Sequence, residues 1–141
     1  MKKVLILSSV LMTLSGCGND PWLLLGDPTV SMQIAPPFGA PTTPSAILPH
    51  TAASSGWVIT APFNTTVISP AAGTVVAVSA GSVAGSVSMT LFHTARFSTR
   101  ITDVISSVRA GDYYAAGATL GTVSASTQIR YELLVDGGSV C

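Results

Sequence analysis

An all-β domain carried on a proline-rich arm is the architecture this sequence predicts, and three observations predict it. The stretch from Ile68 to Leu134 is built of short runs rich in Val, Ala and Thr that glycine opens or closes: Gly73-Thr-Val-Val-Ala-Val, Arg109-Ala-Gly-Asp and Gly117-Ala-Thr-Leu-Gly121. Such runs read as strands with sharply turned ends, and several at close spacing read as a compact β body. The run Ser86-Val-Ser-Met-Thr-Leu-Phe-His93 alternates polar and apolar residues, which marks a strand with one buried face and points Val87, Met89 and Leu91 inward. No helical stripe appears; Asp103–Arg109 offers at most one turn. The expected class is a glycine-turned β-sandwich or barrel-sandwich-like domain.

Taken from its start, the chain opens with Met1-Lys2-Lys3 and then the apolar run Val4 to Leu14, interrupted by Ser8, Ser9 and Thr13. This has the layout of an export signal and is too short to cross a bilayer. It ends in Leu14-Ser15-Gly16-Cys17, which resembles the bacterial lipobox, whose cysteine is acylated and becomes the mature N-terminus. The resemblance implies residues 1–16 as a lipoprotein signal peptide and Cys17 as the lipidation site. Each acyl CH₂ contributes roughly 0.8 kcal/mol, so two or three chains hold a protein on a membrane far better than one. Gly18 follows the cysteine, where inner-membrane lipoproteins carry Asp. By that analogy the expected location is the outer membrane, facing the periplasm; a Gram-positive host would place the protein on the outer face of its single membrane.

Residues 17–55 form the expected tether. Seven of the nine prolines fall there: Pro21, Pro28, Pro36, Pro37, Pro41, Pro44 and Pro49. This density blocks helix interiors and central strands. In a polyproline form, at about 3.1 Å per residue, the segment would reach on the order of 100 Å. Trp22, in the apolar patch Pro21-Trp-Leu-Leu-Leu-Gly26, suits either the headgroup layer or a return onto the domain. Met32, Ile34 and Phe38 are too scattered to form a face.

Charge is scarce across the 141 residues, with six Lys+Arg balanced by six Asp+Glu. Without Lys2 and Lys3 the chain keeps four arginines and six acids, a net charge of −2. Nucleic-acid binding needs clustered cations to displace counterions, so this composition speaks against it.

The domain, residues 56–141, should contain strands at Trp57–Thr60, Thr66–Ser69, Gly73–Ala80, Ser86–His93, Phe97–Thr102, Thr119–Ser124 and Gln128–Val135. Asp136-Gly137-Gly138 reads as a turn tolerant of positive φ. The order of features is Ala61-Pro62, Val67, Gly73-Thr-Val, a strand ending in His93, Val108-x-x-Gly111-Asp112, Gly117-x-x-x-Gly121, Tyr131-Glu132-Leu133 and Asp136-Gly137. From about Trp57 to Val140 this series resembles the lysostaphin/LytM-type zinc endopeptidases, which cut peptidoglycan cross-links. The resemblance implies a β-sandwich-like LytM-type fold with its groove across a sheet. Biotinyl and lipoyl carrier domains share the Gly-Thr-Val and Val-x-x-Gly-Asp elements, but they need a modified lysine and this chain has none after Lys3.

A catalytic zinc of this type takes three protein ligands and an open water position. In the LytM pattern they come from a His-x-x-x-Asp motif and from the second His of a His-x-His motif. Counted back from Ala61-Pro62, the first pair falls on Ser54 and Val58; the His-x-His falls on Gln128-Ile129-Arg130. Serine, valine and arginine thus stand at the ligand positions, and a guanidinium would repel the metal. The family's Tyr-x-His falls near Arg100 to Thr102, where there is no histidine. His50 lies four residues before Ser54, and His93 matches a histidine outside the family's metal shell, which also reads as a partly buried structural residue. No Gly-x-Ser-x-Gly elbow and no phosphate loop ending in Lys is present. Cys141 is the only thiol besides Cys17. In an oxidising compartment it stays free, pairs with another chain or takes up another thiol.

The expectation is therefore no catalytic residue, no metal and no cofactor. The resemblance implies a degenerate LytM-like domain that binds and activates peptidoglycan amidases, or binds the cell wall, through a groove lined by Arg100, Gln128, Arg130 and Tyr131. Arg130 reads equally as a solvated strand arginine. An alternative function is a self-associating scaffold lipoprotein of a secretion, conjugation or pilus complex, with the proline-rich arm as its contact segment.

Overall fold

The structure is a computed structural model, and it describes residues 36–39, 44–48 and 56–140. Cys17, Trp22, His50, Ser54 and Cys141 lie outside the described residues. Among the described residues ten strands follow in order: β1 (Ala46–Leu48), β2 (Trp57–Thr60), β3 (Thr66–Ile68), β4 (Gly73–Ala80), β5 (Val87–Phe92), β6 (Phe97–Ile105), β7 (Tyr113–Tyr114), β8 (Thr119–Val123), β9 (Gln128–Val135) and β10 (Gly138–Val140). Every pairing is antiparallel, and the main path across the sheet is β1-β2-β9-β6-β5-β4-β7. The all-β class expected from the sequence is the class observed.

β6 explains how one hydrogen-bonded system folds over itself. Its first six residues pair with β9, whereas Val104 and Ile105 pair with β8, which in turn pairs with β3. Asp103, at φ 70°, bends the strand between these two partners, and the β5 register shifts beside it between Val87 and Met89. A residue in the left-handed region inside a ladder is the geometry of a bulge, which bends and twists its strand. The core fills the space this bend encloses. Val75, Met89, Leu91, Ile101, Ile129 and Tyr131 from the main path meet Val67, Leu120 and Val123 from β3 and β8. Met89 and Leu91 point inward as the alternation predicts, and Val87 packs against the same cluster.

The turns follow their sequence. β9 and β10 are joined by Asp136 (φ 51°) and Gly137 (φ 82°), with Val135 opposite Gly138. Two positive φ values in a two-residue loop define a type I′ turn, whose twist matches that of the flanking strands. The Arg96 guanidinium donates to the Asp136 carboxylate at 2.8 Å across the mouth of this hairpin.

The arm departs from expectation. β1 is an ordered strand within the proline-rich stretch, paired with β2. Phe38 is a core residue, 6% exposed, bridged to Val67, and the Ile68 amide donates to the Pro37 carbonyl. Proline density forbids a helix or a central strand, but it leaves an edge strand between prolines allowed. An isolated phenylalanine has no period by which to announce itself.

Candidate partner-binding face

Register defines the face on the side of the sheet away from the core. On β2 and β9, Ile59 and Ile129 are buried partners, so their neighbours Val58, Thr60, Gln128 and Arg130 point the other way. The register aligns Leu48 with Val58, Val58 with Arg130, and Arg130 with Thr102, giving one row across β1, β2, β9 and β6. A second row holds Ala46, Thr60 and Gln128. A third holds Glu132, Arg100 and Thr90. Positions far apart in the chain are thus brought side by side by pairing alone.

Of the four residues expected to line a groove, Arg100, Gln128 and Arg130 are exposed on this face. Tyr131 is not among them. It is the immediate chain neighbour of Arg130, and successive strand residues take opposite faces. Its ring lies in the core, tilted 31° to Trp57 with centroids 6.1 Å apart. Its buried hydroxyl has no hydrogen-bond partner among the described residues, and burial drives its pKa far above the ordinary tyrosine value.

Glu132 was not singled out as a site residue by sequence reading, and it organises the face. Its side chain is 4% exposed and accepts from Arg100 Nη1 at 3.1 Å, while Arg100 remains 46% exposed. Gly56 shows how closely the chain approaches there. A Cβ on Gly56 would lie 2.4 Å from Glu132 Cγ and 2.5 Å from the Tyr131 carbonyl oxygen, and its φ is +76°. Among the described residues Arg130, in the adjacent row, makes no salt bridge, so its guanidinium stands on this face without a counter-ion there.

His93 stands apart from the face. Its Nδ1 lies 2.8 Å from the Ala72 carbonyl, which can only accept, so Nδ1 carries the proton. Nε2 then accepts from the Thr99 hydroxyl at 2.9 Å. Desolvation lowers its pKa, outweighing the opposing bond to Ala72, and the imidazole is held neutral. Both ring nitrogens serve the β4–β5–β6 packing, which is the structural role.

No protein-family model matches the sequence, and no curated protein matches it. Solved structures do. The chain is similar to a zinc-containing peptidase from Vibrio cholerae, with TM-score 0.60 and 19% identity, covering 77% of this chain and 39% of that one. It is similar to the catalytic domain, in mutant form, of the prophage-encoded M23 protein EnpA from Enterococcus faecalis, with TM-score 0.59 and 21% identity, covering 76% of this chain and 93% of that one. Csd3 from Helicobacter pylori matches with TM-score 0.60 and 13% identity over 78% of this chain and 33% of that one. The fold is that of the M23/LytM-type peptidases. The chain spans about two-fifths of the Vibrio cholerae chain.

That fold implies a zinc, and the residues present do not fit one. Val58 and Arg130 stand at the positions that the LytM pattern gives to two ligands, directly opposite each other in register. One is a hydrocarbon and the other a permanent cation, and neither has a lone pair to give. Thr102, opposite Arg130 on the other side, falls in the stretch where the LytM pattern has its Tyr-x-His. Among the described residues, no group of three or more His, Cys, Asp or Glu side chains is close enough to hold a metal ion.

Proposed function

We propose that this chain is a non-catalytic, lipid-anchored envelope protein that uses the open face of an M23/LytM-type domain to bind and regulate peptidoglycan hydrolases, amidases in particular. The observation that carries the reading is the row Val58–Arg130–Thr102. Its guanidinium, at a position the LytM pattern gives to an imidazole, supports the reading, since a permanent cation suits holding an anion and does not suit ligating a metal. Arginine suits that task, since its planar fork meets a carboxylate through two parallel bonds. Arg100, Gln128 and the Thr60 hydroxyl supply further donors around it, while the Thr102 hydroxyl is shared with that of Ser88 at 2.9 Å.

Acylation at Cys17 would fix the protein to the outer membrane on its periplasmic side, where such hydrolases act. The test is a calorimetric titration of the host's envelope amidase into the full chain in detergent. Arg130→Glu should abolish the binding while leaving the thermal transition unchanged, because Arg130 is exposed and makes no salt bridge among the described residues that its loss would break. Equal affinities for the wild type and the variant would reject the role of this face.

A further inference from the structure

β1 is held to the sheet almost entirely through its backbone. It has three residues, Ile47 and Leu48 are 58% and 55% exposed, and Ala46 is exposed as well. Its register to β2 runs Ala46–Thr60, Ile47–Ile59 and Leu48–Val58. Ser45 adds two bonds to the Thr60 carbonyl, from its amide at 2.9 Å and its hydroxyl at 3.2 Å. Pro44 and Pro49 bracket the segment. Lifting β1 off β2 therefore uncovers little apolar surface. What is lost is a ladder of backbone bonds, which another extended chain restores.

The register adds a chemical preference. Leu48 lies in the row of Val58 and Arg130, two strands from Arg130, or about 10 Å at the usual strand spacing. The extended side chains of an arginine and a glutamate span that gap. Nothing charged occurs from Pro44 to Pro49, so the resident strand leaves Arg130 unanswered.

We infer that the outer edge of β2 is a strand-acceptor site, held in cis by β1 and taken in trans by an extended acidic segment of a partner protein whose carboxylate occupies the register position of Leu48 and pairs with Arg130. This rests on the partner-binding reading of the face and adds how the partner enters it. Backbone bonds along β2 supply affinity that any strand could earn, and the carboxylate supplies the choice among strands. The arm of a second copy brings leucine to the same place and gains nothing over the strand it displaces.

The experiment titrates three end-capped hexapeptides into the isotope-labelled full chain and follows the backbone amides. The peptides are the chain's own Pro-Ser-Ala-Ile-Leu-Pro and the same sequence with glutamate or lysine in place of leucine. The glutamate peptide should bind about three- to tenfold more tightly than the lysine peptide at low salt. Shifts should centre on Trp57–Thr60, and the preference should vanish in Arg130→Gln and at high salt. In cis, Leu48→Glu should slow hydrogen exchange across β1 and β2 and weaken peptide binding, and Leu48→Lys should do the reverse. Equal affinities for all three peptides, no binding, or shifts confined elsewhere would overturn the proposal. So would a concentration-dependent dimer that the leucine peptide dissolves as well as the glutamate peptide does, since that assigns the edge to a second copy. If Arg130→Glu abolishes amidase binding while the peptides show no preference, the face retains its role and strand addition alone falls.

Discussion

Asp103 shows how much one residue decides here. Its carboxylate accepts from the Ser82 amide and hydroxyl, the Val83 amide and the Ser86 hydroxyl, tying the β4–β5 loop to the bend in β6. Burial opposes its ionisation, but these four bonds outweigh it and hold the pKa below the ordinary 3.8. A group whose folded pKa is depressed contributes stability that is fully present above its unfolded pKa and is lost as the pH falls through the folded one. The loop should therefore loosen only below about pH 4. Asp103→Asn keeps a residue type that tolerates φ 70°. It should cost on the order of 1 kcal/mol at pH 7 in chemical denaturation, because charge-assisted bonds become neutral ones. It should also flatten the acid limb, and a variant as acid-sensitive as the wild type would refute the assignment. In the sequence Asp103 stands only at the start of a stretch that offers at most one turn, and its donors, 17 to 21 residues away, leave no local signal.

At the scale of elements, the strands most legible in the sequence are those with alternation or a glycine boundary. Trp57–Thr60, Gly73–Ala80 and Gln128–Val135 emerge with the predicted ends. β6 runs three residues beyond Thr102 because Asp103 breaks the alternation while bending the strand instead of stopping it. β7, two residues long, has no pattern to read, and β1 is hidden by its prolines. The site follows the same rule. Val58, Arg100, Gln128 and Arg130 were found by position against a known pattern. Tyr131, next to Arg130 along β9, takes the opposite face by the strand period, and the ion pair between Glu132 and Arg100 follows only from the register. The arm divides into a fixed part and a loose part, which mutation should separate. Phe38→Ala should cost about 3 kcal/mol in urea unfolding of the full chain, as buried aromatic truncations do. Ile47→Ala should stay within about 0.5 kcal/mol, as exposed substitutions do. Equal losses would mean that β1 is a packed strand and no candidate for displacement.

Over the whole molecule, the arm, the sheet and the charge distribution form one arrangement. Because Pro37 and Phe38 belong to the domain, the proposed anchor at Cys17 would have a shorter lead than the proline-rich stretch as a whole suggests, at most roughly 60 Å if extended at about 3.1 Å per residue. With few charges overall, the exposed guanidinium of Arg130 stands out on its face, and with a Debye length of about 8 Å at physiological salt it acts on what docks there and not at a distance. The proposed exchange of metal chemistry for recognition on this face can be followed most directly by dye release from labelled sacculi, with the full chain alone, with the host's envelope amidase alone, and with both. The chain alone should release nothing, and the pair should release dye faster than the amidase alone. Release by the chain alone would contradict the proposed exchange by revealing an active site that the row Val58–Arg130–Thr102 does not supply, and an unchanged amidase rate would contradict it in favour of an envelope scaffold.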